Sequence, residues 1–475
     1  MLNMARFVPT DKRIFFFCCL TSLALLFSFW SPLGSFVATP KFWRDEAIPF
    51  EISRTFVELG SLDVVVAPGV VGGQPYLTHA TGFPVTIPLA GVFKLFGVGV
   101  GQARLYMIAW IFAALFTVFF VARSFFGELN AMLASVLVAT FTPFYANGRT
   151  MTGEIPGFFF LMLGLYFLYK RERPIVGGIC MALAAVSKPS IYLLIFPVLF
   201  VEFLAYYKTH CIPRLVQVAI GMAPILLVWV FLIVPSPFSL AHWQGMVDLY
   251  RHPFDEESLF SRMPSAFVET IFHTTILYIL FLVCVVIVGA RNGVFVGEQL
   301  RFYRFSMLFG LAGAVYYLRS PGWLRYLLGF ELLLLVLVPV ALYTVLRRFR
   351  AAPVFIVGVL VFIHTINFFY FSDIRSSTSS IEIAAFLNNE LAIHPGSTVG
   401  VIYDPPVAAL IGPERKYQIA TIGGRETYGA NPLSLETATL PTYIVGYAEG
   451  YEKILERYYM PLPNKPGGRI IYKKQ

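Results

Sequence analysis

Long apolar segments alternate with short polar ones over most of the first 372 residues. Each apolar segment is bounded by charged residues, proline or glycine, and many approach the ~20 residues that a helix needs to cross a bilayer. The pattern predicts an α-helical polytopic membrane protein with about eleven transmembrane helices. The spans are placed near residues 14–37, 103–122, 131–146, 155–169, 174–187, 190–206, 215–234, 271–289, 305–318, 326–346 and 353–372.

Three polar segments are long. Residues 38–102 and 235–270 form two loops, and residues 373–475 form a tail that is predicted to be a soluble domain after a transmembrane domain of residues 1–372. In the first loop, two stretches have the apolar stripe of helices that lie along a membrane surface. They cover residues 45–59 and 83–96. The tail alternates strand-like and helical runs, which favours a small α/β domain.

The loops also predict the orientation. With the N-terminus inside, the cytoplasmic segments carry fifteen basic and four acidic residues, whereas the longer outer segments balance eleven against eleven. The excess of Lys and Arg inside therefore favours an N-in topology, and an odd number of spans places the tail outside the cell. We expect a multi-pass protein of the plasma membrane, the inner membrane in a bacterium.

Composition changes this picture little. Only 13% of residues are charged and 57% are hydrophobic, which excludes an ordinary cytosolic enzyme. The net charge of +9 comes from the cytoplasmic loops, so it reflects topology, and no nucleic-acid partner is expected. The five cysteines show neither a disulfide framework nor metal-ligand spacing. No cofactor is predicted; a divalent cation is left open.

Unusual polar residues gather at the predicted outer ends of the spans. Two acids follow the first span, a third precedes the fourth, and several cations and a histidine lie at the same level. These residues are Asp45, Glu46, His79, Arg149, Glu154, Lys188, Arg319, Arg325 and Tyr326. Glu331 lies deeper, where a carboxylate needs a partner, and both a pair with Arg325 and a part in chemistry fit it.

Each of these residues also has a structural explanation. Acids such as Asp45 and Glu154 are favoured at helix N-termini, which attract negative charge. Lys188 and the arginines fit membrane anchors whose long side chains reach the lipid headgroups, and His79 fits an ordinary surface histidine. Taken together, however, acids and cations at one water–lipid boundary suit a reaction in which a base deprotonates a hydroxyl and cations hold a phosphate leaving group.

The stretch that starts at Asp45-Glu46 resembles the GT-C glycosyltransferases that use polyprenyl-phosphate sugars. These include the protein O-mannosyltransferases and the aminoarabinose transferases of lipid A. The acid pair is followed by an interfacial helix and by a proline-containing helix that ends in Leu95-Phe96-Gly97. Residues 325–328, Arg-Tyr-Leu-Leu, are similar to a stretch of those enzymes. The resemblance is strongest over residues 40–190.

The resemblance implies a role for each residue. Asp45 would be the catalytic base for an inverting attack, and Glu46 and Glu154 would orient acceptor or sugar. Lys188, Arg319 and Arg325 would neutralise the donor phosphate. The remaining substrate-binding candidates are His79, Arg149 and Tyr326. The expected partners are a polyprenyl-phosphate sugar donor, membrane lipid, and a lipid, glycan or protein acceptor of the cell envelope.

Two other classes fit the sequence. A transporter or lipid flippase also has many spans, although those proteins carry polar sites near the bilayer midplane on repeated broken helices. A non-catalytic assembly protein that binds partners through its tail is the third class. The sequence leaves the sugar, the acceptor and the purpose of the tail undetermined.

Overall fold

The structure is a computed structural model. It describes residues 10–30, 36–73, 75–206, 211–234, 236, 238–251, 264, 267, 268, 270, 273–319, 323–346, 349, 351–372, 374–422, 425–429, 440–446, 451–463 and 465–475. Residues 252–263 of the second predicted loop lie outside this described part, as do residues 320–322 before Trp323.

Helices make up most of the described chain. Those up to residue 251 are α1 (Thr10–Phe29), α2 (Arg44–Leu59), α3 (Phe83–Phe96), α4 (Val100–Phe126), α5 (Glu128–Thr140), α6 (Thr142–Gly148), α7 (Glu154–Leu165), α8 (Pro174–Ser187), α9 (Pro189–Tyr192), α10 (Ile195–Tyr206), α11 (Cys211–Ile233) and α12 (Leu240–Arg251). Those after it are α13 (Thr274–Arg291), α14 (Glu298–Arg319), α15 (Leu328–Val345), α16 (Ala352–Ile366), α17 (Ser379–Ile393), α18 (Pro405–Leu410) and α19 (Glu452–Tyr458).

The chain is a multi-pass membrane protein. Among the described residues, six helical segments are long and apolar enough to span a bilayer, and the pair α5–α6, bent by 62°, makes a seventh. Each of the eleven predicted spans overlaps a helix, so the predicted helical membrane fold is confirmed. The orientation of the chain across the membrane stays a prediction.

Helix α15 lies at the centre of the bundle. In the span that includes it, 78% of residues are buried inside the protein, against 22% in the spans of α1, α13 and α16. An almost continuous apolar sequence suits this position, because a helix surrounded by other helices has no polar face. The side chains at the start of α15 therefore point into the protein.

The first loop folds against the ends of the bundle. Helix α2 ends at Leu59 and is capped by Gly60, which has a positive φ of 73°. The N–H of Gly60 donates a hydrogen bond to the carbonyl of Phe56. A hairpin of β1 (Val65–Ala67) and β2 (Val70–Val71) and the helix α3 follow. Both helices occupy the stretches predicted for them, and they pack against each other through Phe50 and Phe93.

The tail contains the predicted small sheet. Strands β3 (Val399–Ile402), β4 (Lys416–Ile422), β5 (Arg425–Gly429), β6 (Tyr443–Gly446), β7 (Tyr459–Pro461) and β8 (Ile471–Lys474) are arranged in the order β5-β4-β3-β6-β8-β7. Strands β4 and β6 run parallel to β3, and the outer pairs are antiparallel. The strands and helices of the tail thus alternate along the chain, as its sequence pattern predicted.

The tail is docked on the first loop. Glu51 of α2 is buried, and its Oε1 accepts hydrogen bonds from Lys416 at 2.8 Å, Gln418 at 2.5 Å and the N–H of Val65 at 3.0 Å. Near the start of α2, Arg44 donates to the hydroxyl of Tyr403. The tail thus contacts the same helix that carries Asp45.

Candidate active site

An ion pair links α2 to the start of α15. Asp45 lies in the first turn of α2, and Arg325 lies in the short 3₁₀ helix Leu324–Leu327 that leads into α15. Nη2 of Arg325 is 2.5 Å from Oδ2 of Asp45. The two residues predicted to act as base and phosphate ligand therefore meet, although they are far apart in sequence. We call the side of the bundle where they meet the Asp45 face.

Aromatic rings surround Arg325. Its guanidinium carbon is 5.0 Å from the ring centre of Trp43, 4.6 Å from Trp323 and 5.6 Å from Tyr326, within the range of cation–π attraction. Its Nε and Nη1 are buried and have no hydrogen-bond partner within the described residues. The rings hold the guanidinium in place, and the N–H groups of Nε and Nη1 remain to bind an anion.

A second ion pair lies beside the first. Glu154 begins α7, Lys188 lies between α8 and α9, and Lys188 Nζ is 3.5 Å from Glu154 Oε1. Both side chains are buried. Burial lowers the pKa of Lys188, and the charge of Glu154 opposes this shift while that of Arg325 adds to it. Because the charges of Arg325 and Asp45 both reach Lys188, the two pairs form one electrostatic cluster.

Two glycines allow the turns around this cluster to pack closely. A Cβ atom on Gly153 would lie 2.2 Å from the carbonyl oxygen of Ser187, and one on Gly82 would lie 2.2 Å from that of Val186. Gly153 also has a φ of 83°, which side chains disfavour. These turns bring the first loop, the start of α7 and Lys188 together.

His79 lies in the first-loop turn that leads to Gly82. It is buried, and its Nε2 is 2.8 Å from the carbonyl oxygen of Leu62. Burial lowers the pKa of His79, so the neutral ring is favoured. Its Nδ1 has no partner among the residues described. His79 therefore offers a hydrogen-bond acceptor at Nδ1 and supplies no positive charge to a phosphate.

Glu46 points away from Asp45 into a separate cluster. Its carboxylate pairs with Arg104 of α4 at 3.1 Å, and both side chains are fully buried. Arg104 also donates to the carbonyls of Phe36 and Pro40. Burial raises the pKa of Glu46 despite this pairing. Glu46 thus joins the first loop to α4; its predicted part in orienting the acceptor stays a prediction.

Arg149 belongs to this second cluster too. Its Nη1 lies 3.2 Å from the carbonyl of Trp30, just after the end of α1, where unpaired carbonyls attract cations. Burial and the neighbouring charge of Arg104 lower the pKa of Arg149 to about 10. The described contacts of Arg149 therefore anchor α1 and do not place it beside Lys188.

Arg319 and Tyr326 lie on the Asp45 face. Arg319 ends α14, and the ring of Tyr316, one turn earlier, is 5.2 Å from that of Tyr326. Tyr326 contacts Arg325 through its ring. The geometry brings Asp45, Glu154, Lys188, Arg325 and Tyr326 together; whether each performs its predicted role stays untested.

We expect replacement of Arg104 by methionine to destabilise the protein by about 3–5 kcal/mol, because Glu46 would remain buried without its partner. Thermal unfolding in detergent measures this. Arg104→Met combined with Glu46→Gln should recover most of the loss, since the buried charge is then gone. Equal unfolding temperatures for Arg104→Met and the unmodified protein would contradict the structural role given to this pair.

A cavity of about 720 Å³ opens beside Arg325. Polar side chains from several spans, from the first loop and from the start of the tail line it. Among them are Lys41, Asn147, His273, Glu331, Asn367 and Arg375. Of these residues, sequence reasoning singled out only Glu331. Asn147 and Asn367 interrupt otherwise apolar stretches. A polar residue in such a position is the sequence signal that could have identified them as cavity residues. Within the described chain, no group of three or more His, Cys, Asp and Glu side chains is arranged to hold a metal ion.

Comparison with known proteins identifies a matching family and solved structures with a similar fold. Residues 85–239 match the family described as dolichyl-phosphate-mannose-protein mannosyltransferase. No curated protein matches the chain. Among solved structures, the fold is similar to that of ArnT from Cupriavidus metallidurans bound to undecaprenyl phosphate, with a TM-score of 0.65 at 13% identity over 98% of both chains.

A second group of similar structures is archaeal. The oligosaccharyltransferase AglB from Archaeoglobus fulgidus, in complex with an inhibitory peptide and a dolichol-phosphate, matches with a TM-score of 0.51 at 13% identity, over 98% of this chain and 75% of that one. An oligosaccharyltransferase from the same organism, tethered with an acceptor peptide, matches with a TM-score of 0.56 at 13% identity, over 98% of this chain and 74% of that one. The chain therefore has the GT-C fold, and the resemblance drawn from the sequence is confirmed.

Proposed function

We propose that the chain is an integral membrane glycosyltransferase that moves a single sugar from a polyprenyl-phosphate donor to a hydroxyl group, with inversion at the anomeric carbon. One observation carries the proposal. The carboxylate of Asp45 lies 2.5 Å from Arg325, whose Nε and Nη1 have no other hydrogen-bond partner in the described structure. A base and an anion-binding group are thus adjacent, beside a cavity large enough for a sugar.

The reaction assigned to this site is a displacement. Asp45 takes the proton of the acceptor hydroxyl as its oxygen attacks the anomeric carbon. The bond between that carbon and the phosphate oxygen breaks, and its electron pair stays on the phosphate. The products are a glycoside of opposite anomeric configuration and a polyprenyl phosphate. Arg325 stabilises the charge that develops on the phosphate, because its donors are already oriented.

The ion pair also has a function in this scheme. Within the described residues, the guanidinium of Arg325 forms its ion pair with Asp45. A donor phosphate that binds Nε and Nη1 competes for that cation, and Asp45 is then left to face the acceptor. The neighbouring Lys188–Glu154 pair adds a buried cation near the phosphate without adding net charge.

The donor and the compartment are supported by the comparisons and by the charge pattern. The family that matches residues 85–239 is named for dolichyl-phosphate mannose, and similar folds have been solved with undecaprenyl phosphate and dolichol-phosphate. The positive-inside pattern favours a site on the outer leaflet of the plasma membrane. The acceptor is proposed as a lipid, glycan or protein exposed there.

The test is transfer by the purified full-length protein. Undecaprenyl phosphate carrying a labelled monosaccharide is incubated with the protein and a cell-envelope extract. Expected products are free undecaprenyl phosphate and a labelled envelope component. Movement of a solute or a lipid across the membrane of proteoliposomes, without sugar transfer, would instead establish that the protein is a transporter or flippase.

Binding of bare undecaprenyl phosphate tests Arg325 directly. We expect Arg325→Lys to weaken binding about tenfold to a hundredfold, because lysine lacks the planar pair of donors and charged hydrogen bonds contribute ~1.5–3 kcal/mol. Lys188→Met should cause a smaller loss, since its cation is already paired with Glu154. Isothermal titration in detergent gives both affinities. Unchanged affinity in both variants would remove these residues from the phosphate site.

A further inference from the structure

Glu331 is a buried acid that the proposed reaction does not use. It lies in the first turn of α15, and its residue is 2% exposed. Arg325, the partner considered for it from the sequence, pairs with Asp45 instead. Within the described residues, Glu331 forms no ion pair or hydrogen bond, and its Oε1 is fully buried. The side chain does line the cavity beside Arg325.

Other hydrogen-bond acceptors face the same cavity. The amide nitrogen of Asn147 donates to the carbonyl of Pro143 at 2.9 Å, and that of Asn367 donates to Thr142 at 3.1 Å. Because both amide nitrogens are engaged, the oxygens remain to accept. No donor to either oxygen occurs in the described part of the chain. With Glu331, the lining of the cavity presents three acceptors.

The cavity lining also includes three cations. They are Arg325 and the exposed side chains of Lys41 and Arg375. Arg325 and Glu331 are six residues apart in helical backbone, a rise of about 9 Å along the helix axis. A phosphate is therefore attracted to Arg325. A group that donates hydrogen bonds suits the Glu331 end.

We propose that Glu331 binds a hydroxyl group of the sugar that is transferred, and thereby contributes to the choice of donor. This inference rests on the proposed glycosyltransferase function. With the donor phosphate on Arg325, the attached sugar extends into the cavity, and its hydroxyls donate to Glu331 and to the amide oxygens of Asn147 and Asn367. The buried side chain of Glu331, which has no hydrogen-bond partner among the described residues, gains one when a sugar is bound.

The experiment compares two ligands that differ by the sugar. Affinities of the purified protein are measured for bare undecaprenyl phosphate and for a panel of undecaprenyl phosphates carrying single neutral hexoses or pentoses. The unmodified protein should bind one of the sugar-bearing lipids more tightly. Glu331→Ala should reduce that affinity about tenfold or more, as expected when a buried sugar hydroxyl loses its hydrogen-bond partner, and leave the affinity for the bare lipid phosphate unchanged. Glu331→Gln, which keeps one acceptor, should lose less.

Glu202→Gln is the matched control. Glu202 is also a buried acid within a span, but its carboxylate accepts a hydrogen bond from Tyr169 and it lines a different cavity with Arg304. This variant should keep the preference for the sugar-bearing lipid.

The outcomes separate this inference from the proposed function. If the unmodified protein binds none of these lipids and transfers no sugar, the proposed function fails. If it does transfer sugar, three results overturn the role of Glu331: no preference for any sugar-bearing lipid, a preference that survives Glu331→Ala, or an equal loss of affinity for both kinds of lipid in the two Glu331 variants. A change confined to the KM of the acceptor would also overturn it.

Discussion

Asp45→Asn should abolish sugar transfer while the protein still folds and binds donor. Removal of a positioned general base costs about 10²- to 10⁴-fold in rate, and asparagine keeps the size of aspartate but accepts no proton. The structure adds a second expectation. Because Asp45 competes with the phosphate for Arg325, the affinity for bare undecaprenyl phosphate should stay equal or increase in this variant. Transfer rate and lipid affinity are measured on the same preparation.

The control for this experiment lies on the same helix. Glu58 is partly exposed and pairs with Arg54 one turn away at 2.9 Å, an arrangement with little energetic value. Glu58→Gln should therefore transfer sugar at the unmodified rate. Retained sugar transfer by the Asp45→Asn variant would exclude Asp45 as the general base. Loss of both transfer and lipid binding would instead show that the ion pair is needed to shape the site.

The membrane architecture could be predicted from the sequence because its cause is local. A bilayer requires a continuous run of apolar residues in each span, and that requirement is met by neighbours along the chain, as in α4 and α15. The two first-loop helices were predictable because the apolar stripe of each is also formed by residues that are close together in sequence. Edge strand β5, with the sequence Arg-Glu-Thr-Tyr-Gly, has no alternating apolar pattern, so a search for such a pattern does not detect it.

The pairing of charges was not predictable in the same way. Asp45 and Glu46 are neighbours, and in the sequence they form one acidic motif. Successive side chains of a helix point about 100° apart, so Asp45 meets Arg325 whereas Glu46 meets Arg104. Which cation each acid meets depends on how distant spans are arranged. The same holds for the acceptors around Glu331, which come from separate helices.

The docking of the tail is the other feature that sequence patterns missed, and it leads to the second large effect. Lys416 is buried, and its ammonium pairs with Glu51 at 2.8 Å. Burial lowers the pKa of Lys416, and the charge of Glu51 opposes that shift. We expect Lys416→Met to weaken docking by about 3–5 kcal/mol, because it leaves the carboxylate of Glu51 buried and without a counter-charge. Limited proteolysis within residues 373–378 and the transfer rate measure the result.

Loosening of the tail should slow transfer because the tail contacts α2 at two levels. Glu51 lies less than two turns after Asp45 on α2, and Arg44, directly before Asp45, donates to Tyr403 of the tail. A displaced tail therefore frees the turn that carries the proposed base. The double variant Glu51→Gln with Lys416→Met separates this effect from general damage. Glutamine still accepts from Val65 and leaves no buried charge, so protease resistance and transfer should largely return. If the double variant is as defective as Lys416→Met alone, the buried ion pair is not what couples the tail to α2.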